Sequence, residues 1–167
     1  MALKNKYTAL LFSLIATLLV GCSSNGCHEN RSSIPKAGLY AYNLPTSTIK
    51  LDSVTLYGVG QKENSLLLDC ARNVTQFTLP FRNDADTTQF VIQYDSYQLA
   101  TRGVRDTLTI IYERYPYFIS GECGVVFNYA IDTVQHTVNL LDSVAIVTPE
   151  VTNQDVETMR LYYYVAL

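Results

Sequence analysis

Four cysteines are the residues of this chain best suited to covalent chemistry, and the first has the most specific surroundings. Cys22 follows Leu19-Val20-Gly21, the pattern that bacterial lipoprotein signal peptidase cleaves, and an apolar run from Tyr7 to Val20 precedes it. Two lysines before that run make the start positive, as in export signals. We therefore expect residues 1–21 to be a signal peptide and Cys22 to carry a diacylglyceryl group, with a further acyl chain such as palmitate on its freed amine. The alternative is an ordinary secretory signal in which the cysteine occurs by chance.

The expected lipid group also predicts a location. The apolar run is shorter than the roughly 20 residues that span a bilayer as a helix, whereas two acyl chains hold a protein stably on its surface. Ser23 follows the cysteine, in place of the aspartate that retains many lipoproteins at the inner membrane. We expect attachment to the outer membrane, with the periplasmic and surface leaflets both open.

Three cysteines remain for other chemistry: Cys27, Cys70 and Cys123. An oxidising compartment favours a disulfide, and an odd number leaves one thiol over. Cys27 and Cys123 have glycine neighbours and polar surroundings, whereas Cys70 follows the apolar run Leu66-Leu67-Leu68 and is expected to be a buried strand residue. We predict a Cys27–Cys123 disulfide, with other pairings and three reduced thiols as the alternatives.

Metal binding has little support in the sequence. Cys27-His28-Glu29 offers three ligand types but no fourth ligand nearby, and it is better explained as a solvated linker. The loop that contains Asn83, Asp84 and Asp86 alternates carboxylates, but it lacks the rest of a twelve-residue calcium site. A turn stabilised by these side chains is the better interpretation. We expect no metal and no cofactor.

Catalysis has no clear pattern either. Cys123 and His136 could form a nucleophilic pair, but this requires a lowered thiol pKa and an orienting partner, and a disulfide loop explains the same glycines. Ser120 lacks the glycine two residues earlier that a nucleophile elbow requires. The sequence therefore predicts a protein that is not an enzyme.

The elements that carry these residues have the two-residue period of half-buried strands. Apolar residues alternate through segments 90–94, 107–112, 125–131 and 161–165, and further strands are expected at 39–43, 49–57, 65–70, 76–81 and 138–147. Turn residues separate them, including Tyr115-Pro116. We predict an all-β fold, an antiparallel β-sandwich of about eight or nine strands, with Phe127 facing the core and Asn128 on the opposite face. A closed barrel is the alternative.

Length and charge limit the classes of function. Residues 22–36 are expected to be a lipidated tether and residues 37–167 one β-sandwich domain. After removal of the signal peptide, ten basic residues stand against 15 acidic ones, a formal charge of about −5. Such a chain is a poor nucleic-acid binder.

Tyrosine is the unusual component, with 13 tyrosines and no tryptophan. Tyr162-Tyr163-Tyr164 must place rings on both faces of one strand. Tyrosine suits protein interfaces because it combines a large apolar ring with a polar tip, although it also simply favours strands.

Several segments in a fixed order carry a resemblance to a known family. They are Asp52-Ser53-Val54-Thr55-Leu56-Tyr57-Gly58, Thr78-Leu79-Pro80-Phe81, Asp86-Thr87-Thr88-Gln89-Phe90, Asp106-Thr107-Leu108-Thr109, Phe118-Ile119-Ser120-Gly121-Glu122-Cys123-Gly124 and Asp142-Ser143-Val144. Together they resemble a family of small envelope lipoproteins of unknown function from Bacteroidota. The resemblance implies a β-rich domain on the envelope and supplies no catalytic residues.

The same resemblance implies possible glycosylation sites. Envelope proteins of these bacteria are commonly O-glycosylated at Asp followed by Ser or Thr and then by an apolar residue or Thr. Five such triplets place the hydroxyls at Ser53, Thr87, Thr107, Thr133 and Ser143. The competing explanation is that Asp-Thr-apolar is a natural way to leave a turn and begin a strand.

Three function classes follow, in order of preference. The first is a non-enzymatic interaction module, an accessory subunit of an envelope or outer-membrane protein complex. The second is a glycan or small-ligand binder, which needs a concave aromatic cleft. The third is an enzyme, which needs converging ionisable groups with perturbed pKa values.

Overall fold

A computed structural model describes Cys27 and residues 30–60 and 65–164. The predicted signal peptide, the lipidation residue Cys22 and the pair His28-Glu29 lie outside the described residues.

The chain folds as two packed β-sheets, which confirms the predicted all-β sandwich. The first sheet contains β2 (Leu44–Thr48) and β5 (Gln76–Thr78), both on one edge of β1 (Lys36–Ala41), followed by β11 (Glu157–Tyr163) and β9 (Leu141–Ile146). The second has the order β10 (Glu150–Val151), β8 (Gly124–His136), β7 (Arg105–Ser120), β6 (Thr87–Tyr94), β3 (Val54–Gly58) and β4 (Leu66–Ala71). The short helix α1 (Tyr97–Ala100) connects β6 to β7.

The described strands number eleven because the short strands β2 and β10 add to the nine predicted ones. The pairs are antiparallel with one exception among them. β1 and β11 run parallel, from Lys36 opposite Glu157 to Ala41 opposite Tyr163. Strands near the two ends of the described chain are thus neighbours, a pairing that local sequence patterns do not reveal.

The core lies between the sheets and is filled by alternate residues of both. Its largest fully buried side chains include Leu39, Phe77, Met159 and Leu161 from the first sheet and Leu56, Phe90, Ile92, Leu108, Ile110 and Tyr112 from the second. Each such side chain contributes roughly 1.5–3 kcal/mol on burial. The predicted alternation in β6, the first half of β7 and β11 is therefore confirmed.

One carboxylate is buried beside this core. Asp106 accepts hydrogen bonds from the backbone N–H groups of Asn139, Leu140 and Leu141 at 2.8–2.9 Å, and from the hydroxyls of Thr137 and Tyr94. Burial alone would raise the pKa of Asp106, but the backbone N–H groups outweigh it and hold the pKa below its ordinary value. Asp106 thereby fixes the connection from β8 to β9.

The hairpin of β7 and β8 extends beyond the sandwich. The pairing of β7 with β6 ends at Ile111, whereas its pairing with β8 continues to Ser120 opposite Gly124. We call residues 113–127 the arm. Tyr115-Pro116, predicted as a turn, lies inside β7 within this arm, so that prediction is wrong. Proline is tolerated there because β7 has lost its β6 neighbour and needs no N–H donor on that edge.

Phe127 does not face the core, contrary to the prediction. Its side chain is 40 % exposed, while Asn128 on the opposite face is only 3 % exposed. The alternation itself is right, because Phe127 shares a face with the buried Tyr129 and Ile131, but at Phe127 the strand has passed beyond the core. Asn128 is buried on its own face, where its Oδ1 accepts a hydrogen bond from Ser33 Oγ at 2.8 Å.

Cys70 is exposed, so its predicted burial is also wrong. It lies in the edge strand β4, where Leu66 and Leu67 are exposed as well. Its φ of 41° and the shifts in the pairing of β3 with β4 mark an irregular strand, so an apolar run there does not indicate a buried position.

Candidate functional site

A disulfide joins Cys27 to Cys123, in agreement with the preferred pairing. Cys123 is buried in the turn at the tip of the arm, and its N–H donates to Ser120 Oγ at 3.1 Å. Cys70 is the free cysteine among the described residues. The disulfide therefore attaches the start of the described chain to the far end of the hairpin, 96 residues later in the sequence.

Further contacts hold the segment that follows Cys27. The Asn30 side-chain amide donates to the Asn153 carbonyl at 2.8 Å, and Ser33 bonds to Asn128 as described above. The carbonyl of Pro35 accepts from the N–H of Leu79 at 3.0 Å. From Asn30 onward, the segment predicted as a tether is thus bound to the domain.

The arm carries an exposed apolar surface. Phe118 is 64 % exposed and Val125, directly opposite on β8, is 57 % exposed. Pro116 and Phe127 form the next pair on the same face, and Tyr117 is exposed on the other face. Large apolar side chains are normal singly at a surface, but a group of them on one element marks a contact site.

Two clefts meet where the arm leaves the sandwich. The first, about 580 Å³, is lined by Pro80, Phe81, Phe127, Tyr129 and residues 31–34. The second, about 550 Å³, shares Pro80, Phe81 and Tyr129 with it. The aromatic rings between them contact one another, since Phe81 stacks on Tyr112 at 4.3 Å and meets Tyr129 edge-on at 5.4 Å.

Two ion pairs lie at or beside these clefts. Arg82 bonds to both carboxylate oxygens of Asp84 at 3.0 Å, and this hydrogen bonding lowers the pKa of Asp84. Asp86 pairs with Arg114 at 3.0 Å. The acidic loop considered for calcium thus contains two ion pairs, one to Arg82 and one to Arg114. Burial raises the pKa of Tyr112, whose hydroxyl lies 2.6 Å from Thr88 Oγ1. Such groups are suited to holding the fold rather than to transferring protons.

A second surface lies on the outer side of the first sheet. Its members are Tyr40, Tyr42, Arg160, Tyr162 and Tyr164, which we call the tyrosine face. Tyr40 and Tyr162 are opposite residues of β1 and β11 with ring centroids 6.0 Å apart, and Tyr42 and Tyr164 continue the row at 6.4 Å. Tyr163 between them is buried, which confirms that this tyrosine run has rings on both faces.

A hydrogen-bonded cluster orders this face. The guanidinium of Arg160 lies 4.8 Å from the ring centroid of Tyr40, a cation–π contact. Glu157 accepts from the Tyr40 hydroxyl at 2.8 Å and from Arg160 at 2.6 Å, and the hydrogen bond to Glu157 raises the pKa of Tyr40. Gly38 leaves room for the cluster, because a Cβ there would collide with the Glu157 carboxylate and the Tyr40 ring.

The hydroxyls predicted as glycosylation sites are spread over both sheets. Thr87 on β6 and Thr133 on β8 are exposed, and both are opposite Ile111 of β7, which lies between them. The structure therefore brings these two residues near each other. Ser53, Thr107 and Ser143 are half-buried. Asp106, which begins the third triplet, has the structural role described above, so that triplet is explained without a modification.

The Cys123–His136 pair considered for catalysis is not supported by geometry. Cys123 is bonded to Cys27, and His136 Nε2 lies 3.2 Å from the carbonyl oxygen of Asp142 at the other end of β8. Within the described ranges, no three His, Cys, Asp or Glu side chains converge on a position that could hold a metal ion. In the same ranges no helix has the length and apolarity needed to cross a membrane.

The arm was missed by sequence reasoning, although a signal was present. Apolar residues flank the Cys123 turn on both sides and on both strand faces, which is typical of a hairpin without a core to cover it. The tyrosine face was anticipated only through the Tyr162–Tyr164 run.

Comparison with protein families gives one match, to the family of unknown function DUF6452, over residues 53–163. The match extends from the start of β3 to the end of β11 and includes the whole arm. No curated protein and no solved structure is significantly similar to the chain.

Proposed function

The chain belongs to the family of unknown function DUF6452, and we propose that it is a lipid-anchored, non-enzymatic docking module that binds a protein complex of the outer membrane. We assign it to the small envelope lipoproteins of Bacteroidota, with Cys22 as the lipidated residue.

The tyrosine face is the observation that carries this proposal. Tyrosine and arginine are among the residue types that most often dominate binding at protein interfaces. Here four tyrosines and Arg160 lie on two adjacent strands or directly after their ends, and the Arg160–Glu157–Tyr40 cluster holds part of the face in a defined arrangement before any partner binds. Side chains ordered in advance lose less conformational freedom on binding.

The anchor supports a partner in the membrane. Cys27 is five residues after Cys22, so an extended chain reaches at most about 18 Å from the lipid group to the disulfide. A domain held this closely can meet an embedded protein continuously, whereas a distant soluble partner would call for a longer linker.

A glycan or small ligand is the second candidate. The cleft of about 580 Å³ beside Phe81 and Tyr129 favours it, because aromatic rings in a concave site are typical of such binding. Those rings already pack against each other, which leaves less ring surface for a ligand.

Site-specific photo-crosslinking in living cells tests the docking proposal. A photoreactive residue at Tyr164 should give a discrete adduct with an outer-membrane protein, and one at Tyr97 should not. Tyr97 is a suitable control because it is 87 % exposed and lies on α1, which connects two strands of the second sheet, whereas the tyrosine face belongs to the first. With the partner purified in mild detergent, Tyr162→Ala should weaken binding by about 30-fold, the effect of losing a hot spot of 2 kcal/mol. Equal adducts at both positions would contradict the proposal.

Fractionation tests the anchor separately. Cys22→Ser should move the protein from membranes to soluble fractions, while Cys70→Ser, at the exposed free cysteine, should leave it in membranes. Unchanged membrane association of Cys22→Ser would contradict lipidation.

A further inference from the structure

We infer that the arm enters the lipid surface itself: Tyr117, Phe118 and Val125 contact the boundary between headgroups and acyl chains in the membrane leaflet that holds Cys22. This inference rests on the lipid anchor of the proposed function, but not on the protein partner.

The disulfide determines which part of the domain is nearest the membrane. Cys123 is in the turn at the tip of the arm, and its partner Cys27 is separated from Cys22 by only Ser23-Ser24-Asn25-Gly26. The tip must therefore lie within about 18 Å of the anchored cysteine, whatever conformation those four residues take. A longer tether or a different disulfide would allow any face of the domain to approach the lipid.

The side chains near the disulfide are suited to that environment. Phe118 and Val125 form an exposed cross-strand pair two residues from Cys123 on the β8 side, and exposed Tyr117 lies on the other face of the hairpin. Tyrosine is enriched at membrane interfaces because its ring is apolar and its hydroxyl is polar. None of the described residues covers these apolar side chains, so they face water in the free protein. At the membrane interface the same side chains leave water, which is favourable.

The backbone sets the depth of entry. Beyond Ile111, β7 pairs only with β8 among the described strands, and β8 pairs with β10 only at Tyr129 and Ala130. Both edges of the arm therefore carry backbone groups that need water or headgroups as partners. Open strand edges do not enter the hydrocarbon region, and the exposed Glu122 at the turn also favours headgroup depth. The contact is therefore shallow, about 5–10 Å into the boundary, as for amphipathic elements that lie in the interface.

The same placement orients the rest of the domain. β7 has 16 residues, which corresponds to roughly 50 Å, and α1 precedes its opposite end. Tyr97 on α1 is consequently far from the lipid when the tip is in contact with it. Tyr97 and Phe118 thus form a matched pair, both aromatic and strongly exposed: Tyr97 precedes one end of β7, and Phe118 lies near the other.

Tryptophan fluorescence gives a direct test, because the chain has no tryptophan of its own. The lipidated protein with Phe118→Trp is reconstituted into protein-free vesicles of phosphatidylethanolamine and phosphatidylglycerol with brominated acyl chains. Its emission should shift to shorter wavelength and be quenched, whereas Tyr97→Trp should emit as in water and stay unquenched. Val125→Trp provides a second probe of the tip if Phe118→Trp disturbs the fold.

A third measurement tests the role of the disulfide. Combining Phe118→Trp with Cys27→Ser and Cys123→Ser frees the tip from the anchor and should weaken the quenching. Full quenching without the disulfide would overturn the view that the disulfide places the tip.

The remaining outcomes separate this inference from the proposed function. Vesicles that carry the protein but leave the tip probes unquenched would overturn the lipid contact and leave the anchor intact. Failure of the protein to float with vesicles would remove the anchor and the inference with it. Quenching at the tip together with no partner adduct at Tyr164 would support the lipid contact and reject the protein partner. A protein adduct at Phe118 in cells, with no quenching in vesicles, would assign the arm to a protein instead.

Discussion

The two halves of the β7–β8 hairpin have the same pattern of residues but opposite surroundings. In the inner half, Leu108, Ile110 and Tyr112 alternate with half-buried neighbours and are buried against the other sheet. In the arm, Pro116, Phe118, Val125 and Phe127 continue on that same face and are exposed. The difference is that the opposing sheet ends. Alternation therefore identifies a face, whereas burial depends on what lies opposite it.

The largest effect should separate the two halves directly. Ile110→Ala should reduce the free energy of unfolding by about 2–5 kcal/mol, because it leaves a cavity in the core. Phe118→Ala should change it by no more than about 0.5 kcal/mol, as at most exposed positions. Urea unfolding of both variants measures this. Similar losses would show that the arm is packed against something in the free protein.

The disulfide should stabilise the arm more than the inner half. Cys27→Ser combined with Cys123→Ser should lower stability by about 2–4 kcal/mol, since the closed loop is long. Cys70→Ser should have little effect because that cysteine is exposed and unbonded. Hydrogen exchange should become faster first in residues 113–127 and in the segment after Cys27. Uniform acceleration along the hairpin would erase the distinction between the halves. Non-reducing peptide mapping should recover the Cys27–Cys123 peptide.

The inner half should respond to acid through Asp106. Its folded pKa lies below that of an unfolded aspartate, about 3.9, so its contribution is complete above that pH and is lost as the pH falls through the folded pKa. Asp106→Asn should cost about 1.5–3 kcal/mol at neutral pH, the range for a hydrogen bond to a charged group. It should also flatten the dependence of the urea midpoint on pH below 4. An unchanged acid profile would assign acid sensitivity to other carboxylates.

The smallest effect should come from the boundary between the halves. Tyr112→Phe removes a buried hydroxyl that donates to the Arg82 carbonyl at 2.9 Å and accepts from the Arg82 N–H. A loss of roughly 0.5–1.5 kcal/mol is expected. Nuclear magnetic resonance shifts should change around Arg82 and Phe81 but not at the tip near Phe118. Changes that reach the tip would mean that the two halves are coupled.

The comparison of the inner half with the arm also explains which structural features could be predicted from the sequence. Local patterns predicted nine strands and the fold class because alternation is a local property. They failed at Phe127 and Cys70, whose burial depends on where another sheet ends and on an irregular edge strand. Pro116 was predicted as a turn because proline usually interrupts strands, and only the absence of β6 beside it makes a strand position acceptable.

The candidate functional features also differ in whether local sequence could predict them. The Cys27–Cys123 pair could be predicted from composition, since both cysteines have similar local surroundings. The tyrosine face could not, because Tyr40 and Tyr162 are brought together by a parallel pairing of strands more than a hundred residues apart.

That parallel pairing also governs when the domain can be completed. β1 leaves the ribosome, or a translocation channel, long before β11, whose Glu157 is about 120 residues later in the chain than its partner Lys36. Contacts so distant in sequence slow folding. Until β11 is synthesised, one edge of β1 has no strand beside it, and Leu39 lacks its neighbour on β11. The domain should therefore mature in a single late step, and a nascent chain that stops before β11 should be recognised by proteases as unfinished.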